Sequence, residues 1–265
     1  FMWTTNFNFA YNNNKVLKEA LREDALEPGR EGYPAGALFA LKTAGLDEEG
    51  YPMFQDKDGK AVSAMEFFKL QEWGFGATDL TARERRELYT YVGTADCPYT
   101  GGFNNTFTYK AFELGVNFSF DFGGKVRSQP TYSIVDFDKG RNTNRDILNR
   151  WTPENTETIF PVLLSQNERL DEYMWYSNQN EIYRNLDIWI RDLNYVRLQN
   201  IRLGYTLPTN FSRKLGMTSA TIAIEGRNLL VFGSSYKNYL DPETMSNAYA
   251  TPAPKSVTLS LNLNF

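Results

Sequence analysis

The ten residues Ser256–Phe265 read Ser-Val-Thr-Leu-Ser-Leu-Asn-Leu-Asn-Phe and alternate strictly between polar and apolar side chains. Successive side chains of a β-strand point to opposite faces, so this segment is predicted to be a strand with one polar and one apolar face. Such a strand fits a membrane barrel, which has lipid outside and water inside. It also fits a soluble sandwich, whose apolar faces point inward. The segment therefore predicts a β-protein and leaves both architectures open.

Five further segments show the same alternation and extend the prediction along the chain. Their length, about ten residues, is what a tilted strand needs to cross a bilayer. In one of them the pattern loses its phase near Gln199 and Asn200, which indicates a β-bulge. The six predicted strands lie near residues 1–14, 102–110, 111–123, 194–207, 219–232 and 256–265.

The apolar side chains of these strands provide a test of the two architectures. In a barrel they face lipid and are exposed in the protein itself, whereas in a sandwich they are buried between sheets. The test set consists of Phe107, Phe118, Phe120, Leu203, Ile222, Leu259 and Leu261.

The connections between the predicted strands alternate strictly between short and long. Lys110 and Ala111 make a tight turn, and a short connection follows residue 207. The connections near 15–99, 124–193 and 233–255 are far longer than ordinary loops. Outer-membrane barrels alternate short periplasmic turns with long extracellular loops, so this order favours the barrel and assigns all three long connections to the outside.

The long connections contain local helix signals. Ser63 with Glu66, and Thr81 with Glu84, have the spacing of a capping box ahead of apolar residues. Two further short helices are predicted over Lys15–Leu26 and Asn144–Trp151.

Composition and motifs argue against several classes of protein. The chain has 265 residues and a net charge of −4, and this acidic balance argues against a nucleic-acid partner. It has no histidine, which removes His-dependent triads, His metal sites and the commonest general base. Its single cysteine, Cys97, excludes an internal disulfide. No phosphate-binding loop or nucleophile elbow occurs.

Two acidic segments, 47–50 and 56–59, bear a faint likeness to calcium-binding loops. Neither has the full series of ligands or a closing glutamate at the right place. Asp and Gly at these spacings are better explained as turn residues, so no metal site is predicted.

Several short motifs resemble the SusC/RagA-type TonB-dependent outer-membrane transporters. Each motif is modest by itself, but their order along the chain is specific. The matching segments are Gly101–Lys110 (GGFNNTFTYK), Arg150–Asn155 (RWTPEN), Asp187–Asp192 (DIWIRD), Tyr195–Pro208 (YVRLQNIRLGYTLP), Lys214–Gly216 (KLG), Gly226–Leu230 (GRNLL) and Asp241–Glu243 (DPE).

The resemblance implies an all-β fold, namely the C-terminal portion of a large 22-stranded transmembrane β-barrel with long extracellular loops. This chain would supply about six antiparallel strands. Phe1 already lies within an alternating segment, so a longer protein is expected.

The resemblance also implies active import of oligosaccharides or peptides across the outer membrane of a Gram-negative bacterium. The implied partners are the plug and remaining strands of the same transporter, a SusD-like surface lipoprotein, membrane lipid, and TonB through the missing N-terminal part. The transporter breaks no bond in its solute, so the resemblance implies no enzyme, no catalytic residue and no cofactor. The alternative is a soluble secreted β-rich carbohydrate-binding module, which the 15% aromatic content fits equally well.

Candidate contact residues come from two places. Tyr173, Trp175 and Tyr176 lie in a predicted external connection, where aromatic rings beside amides suit stacking on sugars, peptide binding, docking of the lipoprotein, or simple packing. On the predicted polar face, Asn104, Glu225 and Arg227 offer hydrogen bonds to a hydrated solute. The alternative for this second group is that it pairs with the plug or wets the lumen.

Overall fold

The computed structural model describes residues 1–72, 77–128, 140, 145–163, 185–233, 241–244 and 250–265. The strands are β1 (Met2–Tyr11), β2 (Ala37–Leu41), β3 (Thr43–Leu46), β4 (Pro52–Gln55), β5 (Ala61–Val62), β6 (Tyr89–Thr94), β7 (Tyr99–Tyr109), β8 (Phe112–Arg127), β9 (Ile190–Thr206), β10 (Ser219–Phe232) and β11 (Ser256–Asn264). The helices are α1 (Ala64–Phe67), α2 (Ala82–Glu87) and α3 (Thr209–Lys214), with 3₁₀ turns at Arg145–Asn149 and Asp187–Trp189.

Six long strands form one sheet, here called the large sheet, in the order β1-β7-β8-β9-β10-β11. The strands run antiparallel, and each neighbours the next long strand along the chain. The predicted all-β class with six antiparallel strands is therefore confirmed. Three strands exceed their predicted bounds, since β7 begins at Tyr99, β8 continues to Arg127 and β9 begins at Ile190.

The large sheet does not close on itself within the described residues, because β1 and β11 lie at opposite edges. Every residue of both edge strands is exposed. The free backbone groups of such edges readily pair with another strand.

Strand register sorts the side chains of the large sheet onto two faces. Phe7 pairs with Phe103, which pairs with Phe118 on the apolar face. The neighbouring row on the polar face is Asn6, Asn104 and Asn117. Because each row keeps one chemical character across strands, the alternation in the sequence becomes a two-faced sheet.

None of the seven apolar test residues is buried. Leu203, Ile222, Leu259 and Leu261 are exposed, with Leu259 at 77%. Phe107, Phe118 and Phe120 are half-buried because neighbouring rings cover them, as Trp3 does for Phe107 at a centroid distance of 6.0 Å. A sandwich would bury all seven, so their exposure agrees with the barrel prediction.

One polar residue on the apolar face is shielded. Asn105 lies in the same row as Thr5 and Val116 but is only 6% exposed. Its Oδ1 accepts a hydrogen bond from Trp3 Nε1 at 3.0 Å. The indole N–H thus satisfies the amide oxygen of Asn105, which would cost folding free energy if it lay unpaired on an apolar surface.

The pairing of β9 with β10 is irregular where the sequence pattern of β9 loses its phase. Gln199 Nε2 donates to Ser119 Oγ at 2.7 Å, and the next residue, Asn200, accepts at Oδ1 from Asn117 Nδ2 at 2.6 Å. Two consecutive residues therefore reach the same, polar face. At this level Arg227 pairs with Asn200 and Leu230 pairs with Leu198, so three steps along β10 oppose two along β9. An irregularity at the predicted place is confirmed, but its extra residue lies on β10 rather than on β9.

The chain divides into two compact units. The first holds the large sheet and comprises Phe1–Asn13, Ala95–Val126 and Arg191–Phe265; the second, here called the connection module, comprises Asn14–Thr94 and Arg127–Ile190. The module has a buried apolar cluster of its own, so the long connections are folded. The cluster includes Leu41, Tyr51, Phe54, Val62, Ala64, Phe67, Phe68, Leu70, Ile147, Leu186 and Trp189.

The predicted caps in the connection module are present. Ser63 accepts from the Glu66 backbone at the start of α1, and Thr81 with Glu84 forms a full capping box on α2. Hydrogen bonds from the Thr81 backbone and hydroxyl lower the pKa of the Glu84 carboxyl to about 2. Local hydrogen bonding at both helix starts thus follows the sequence signal.

In the two acidic segments, 47–50 and 56–59, an aspartate carboxylate accepts hydrogen bonds from the backbone of its own turn. Asp47 Oδ1 accepts from the amides of Glu49 and Tyr51, and Asp56 Oδ1 accepts from those of Asp58 and Lys60. This is turn chemistry of the Asx type, as the sequence predicted.

The helix predicted over Lys15–Leu26 is wrong. The Val16 amide donates to the Tyr33 carbonyl at 2.8 Å, and the Gly32 amide donates back to Val16 at 2.9 Å. Leu17 is 84% exposed, so the apolar spacing in this segment has no surface to pack against. Pairing with a distant segment replaces the intrahelical bonds. At Asn144–Trp151, the described part forms a 3₁₀ turn over Arg145–Asn149.

The RWTPEN motif forms a turn that packs Trp151 against Gly50 within the connection module. Asn155 Nδ2 donates to the carbonyls of Asn149 and Arg150, which fixes the turn. The Trp151 ring then covers Gly50, where an added Cβ would lie 2.4 Å from Trp151 Cδ2. Gly50 has φ +84°, so both its backbone conformation and its neighbour require glycine.

None of the helices in the described part of the chain has the length and apolar character needed to cross a membrane.

Candidate functional site

The polar face of the large sheet carries a connected set of side chains across β8, β9 and β10. Asn200 links Asn117 to Glu225, since its Nδ2 lies 3.5 Å from Glu225 Oε1. Glu225 also accepts from Arg227 Nε at 2.6 Å. The structure therefore brings together two of the predicted contact residues, Glu225 and Arg227, as an ion pair.

Asn104 lies on the same face, in register with Asn6 and Asn117, and is exposed. A second ion pair on this face joins Arg202 to Glu113 at 3.0 Å. Both of its partners are well exposed, so the pair adds little stability but keeps charge on the surface. The face offers amides, hydroxyls and charges of both signs, which suits hydrogen bonding to a polar molecule.

The other predicted contact residues, Tyr173, Trp175 and Tyr176, lie outside the described residues.

A buried polar network on β8 and β9 is the site that sequence reasoning missed. Arg197 is only 2% exposed; its guanidinium binds Asp241 Oδ1 and, through Nε at 2.9 Å, Glu243 Oε1. The Tyr195 hydroxyl contacts the same Glu243 oxygen at 3.0 Å and Asp121 Oδ2 at 2.5 Å. Two strand residues, Arg197 and Tyr195, thus hold two carboxylates of the third long connection.

The segment that supplies these carboxylates is a turn with its own hydrogen bonds. Asp241 Oδ1 accepts from the Glu243 amide at 3.0 Å, and the Asp241 carbonyl accepts from the Thr244 amide at 2.9 Å. The Asp-Pro-Glu sequence therefore forms a tight turn that presents both acids to one arginine. In the sequence, the feature that points to this site is Arg197, a charged residue that stands between two apolar residues of a predicted strand.

These arrangements suit binding rather than bond-breaking chemistry. Within the described ranges, no three acidic or cysteine side chains are grouped as metal ligands. The acids of the polar face and of the buried network are engaged by arginines, amides and a phenol.

Comparison with known proteins gives relatives of one kind. No family model matches the chain. It is 26% identical over its whole length to TonB-dependent receptor P3 of Formosa agariphila and 24% identical, again over its whole length, to TonB-dependent receptor P39 of the same organism. It covers 27% and 28% of these two proteins, so it spans about a quarter of the length of its curated relatives.

The fold has counterparts among solved structures. The RagAB peptide transporter matches 99% of this chain with a TM-score of 0.67 and 21% identity. The RagAB peptide importer in its open-open state gives a TM-score of 0.65. In each case the match covers 27% of the solved chain, so the matched fold is part of a much longer polypeptide.

Proposed function

We propose that this chain, whose resemblance to the SusC/RagA-type TonB-dependent transporters is confirmed by its relatives and its fold, forms part of the barrel wall of an active importer. The transporter acts in the outer membrane of a Gram-negative bacterium. It carries oligosaccharides or peptides inward and breaks no bond in them.

The observation that carries this proposal is the contrast between the two faces of the large sheet. Apolar side chains such as Leu259 and Leu261 are exposed on one face, while the other face is an array of hydrogen-bonding groups. Lipid on the first face and water on the second would match both. A soluble carbohydrate-binding module needs the apolar face buried, and the structure gives no support for that alternative.

The edges of the large sheet support a larger barrel. Unpaired strand edges are not tolerated in hydrocarbon, so β1 and β11 require further strands of the same transporter. The plug and these strands are its first partners, and membrane lipid is the second. By resemblance to the SusC/RagA-type transporters, a SusD-like lipoprotein is proposed to cover the outer mouth, and TonB is proposed to supply the energy through the plug.

The polar face is proposed to line the path of the solute. Asn104, Glu225 and Arg227 present an amide, a carboxylate and a guanidinium to the water-filled side. Tyr173, Trp175 and Tyr176 are proposed to contact the lipoprotein or the solute at the external side.

The test of this function uses the whole transporter in a Gram-negative host. Uptake of labelled oligopeptides and oligosaccharides is measured with TonB present and with TonB deleted. We expect saturable uptake of one class that is lost without TonB. Recovery of the protein in the soluble fraction, or uptake that does not need TonB, would contradict the proposal.

A second measurement tests the aromatic candidates. Replacing Trp175 by alanine is expected to weaken lipoprotein association or uptake, because a large amphipathic contact is removed. Assembly, followed by heat-modifiable gel mobility, should be unchanged, and Phe211→Ala in the short connection serves as the control. Normal association together with normal uptake would assign Trp175 to packing.

A further inference from the structure

The buried network around Arg197 joins the third long connection to the polar face of the large sheet. Two carboxylates from a three-residue turn, Asp241 and Glu243, converge on one guanidinium that is 2% exposed. A buried arginine is stable only when it is paired and hydrogen-bonded, and here the connection supplies both ionic partners.

Tyr195 secures the same turn from a second direction. Its hydroxyl touches Glu243 and Asp121, so it links the turn to β8 as well as to β9. The Asp241 side chain has a double role, since it binds Arg197 and also accepts from the Glu243 amide. Loss of the ion pair would therefore loosen the turn and its anchor together.

We infer that residues 241–244 are a latch, a turn that Arg197 holds against the polar face so that these four residues do not move across the proposed solute path. The latch itself stands on the contacts described above, whereas its effect on transport rests on the proposed function. The ion pairs of Arg197 with Asp241 and Glu243 hold the latch in place. Without the guanidinium, or without the two acids, the turn loses its attachment to the sheet.

Other ion pairs on the polar face differ from the latch. Arg202 lies on the same strand and face, but it is 37% exposed and binds Glu113 of the neighbouring strand β8. It therefore attaches no connection to the sheet. Arg202→Met removes one arginine and its ion pair from β9 without touching the turn, whereas Arg197→Met removes one arginine and two ion pairs. Arg202→Met is therefore the control for loss of an arginine from this strand.

Hydrogen exchange of residues 241–244, measured by mass spectrometry on the whole transporter, tests the latch. Arg197→Met is expected to speed exchange of the Glu243 and Thr244 amides at least about tenfold, because the buried Asp241 carboxylate and the Glu243 carboxylate both lose their cation. Arg202→Met should leave these amides as protected as in the unsubstituted protein. Unchanged exchange in Arg197→Met would overturn the latch.

Two substitutions of Asp241 control for the possibility that Arg197→Met disturbs folding in general. Asp241→Asn keeps an oxygen for the Glu243 amide but removes the charge that Arg197 binds, whereas Asp241→Ala removes both. Faster exchange in both variants supports a charge-closed latch. Faster exchange in Asp241→Ala alone would show that the turn, rather than the ion pair, holds the segment, and would overturn the inference.

Uptake per assembled transporter gives the functional arm. We expect it to fall several-fold in Arg197→Met and to stay normal in Phe211→Ala, which lies in the short connection and not on the polar face, with assembly checked by heat-modifiable mobility. Faster exchange with normal uptake would refute the link to the solute path. If the unsubstituted protein imports nothing, the proposed function fails, while the exchange result still decides whether the latch exists.

Discussion

At the scale of single residues, glycine positions in the connection module separate two kinds of constraint. Gly50 and Gly45 both have a positive φ, +84° and +89°. A Cβ at Gly50 would collide with the Trp151 ring, whereas a Cβ at Gly45 would meet nothing within 4 Å. The pair therefore distinguishes backbone strain from loss of packing.

We predict that Gly45→Ala costs about 1–2 kcal/mol, the cost of a left-handed conformation for alanine. Gly50→Ala should cost about 1–3 kcal/mol more, because Trp151 must move out of its place. Hydrogen exchange of core amides in the connection module measures both. Equal costs would mean that Trp151 does not pack on Gly50 in solution.

Single residues also show where sequence reasoning stops. Glu225 and Arg227 were identified from their face, and the structure adds that they bind one another. The partners of Arg197 lie more than forty positions away along the chain, and no periodic pattern connects a strand with the turn of a long connection. Pairing across such a distance depends on tertiary folding, which alternation does not encode.

At the scale of elements, the long strands could be predicted and the small ones could not. Each long strand repeats a period of two over about ten residues, which is a strong signal. The strands of the connection module are two to six residues long, and β4 buries both Pro52 and Phe54 around a half-buried Met53. So short a segment gives too few repeats to show a period, and its conformation is set by the core that it packs into.

Strand β11 allows the two faces to be tested on adjacent residues. Leu259 lies on the apolar face opposite Ile224, and Thr258 lies on the polar face opposite Glu225. Arginine at a lipid-facing midplane position destabilises a barrel by about 2–4 kcal/mol. Leu259→Arg should therefore reduce the free energy of unfolding, measured in bilayers, by that amount. Thr258→Arg should cost far less, because its side chain meets water and a carboxylate. Equal penalties would argue against the assignment of the faces.

At the scale of the whole molecule, the large sheet is an open structure with two free edges. We predict that this 265-residue chain, produced alone and refolded in detergent, gives no heat-modifiable species, because β1 and β11 lack partners in an apolar medium. The whole transporter under the same conditions is the control. A compact, heat-modifiable form of the isolated chain would mean that these six strands close among themselves.

The change of phase at Gln199 and Asn200 has a consequence for how β9 can change in evolution. On its C-terminal side, Ile201, Leu203 and Tyr205 belong to the apolar face; on its N-terminal side, Tyr195 and Arg197 belong to the polar face. Deleting one residue at this point would turn the N-terminal part of the strand over and aim the Arg197 guanidinium at the apolar face. Insertions and deletions there are therefore expected to survive in pairs, so the length of this N-terminal part should change by two residues at a time.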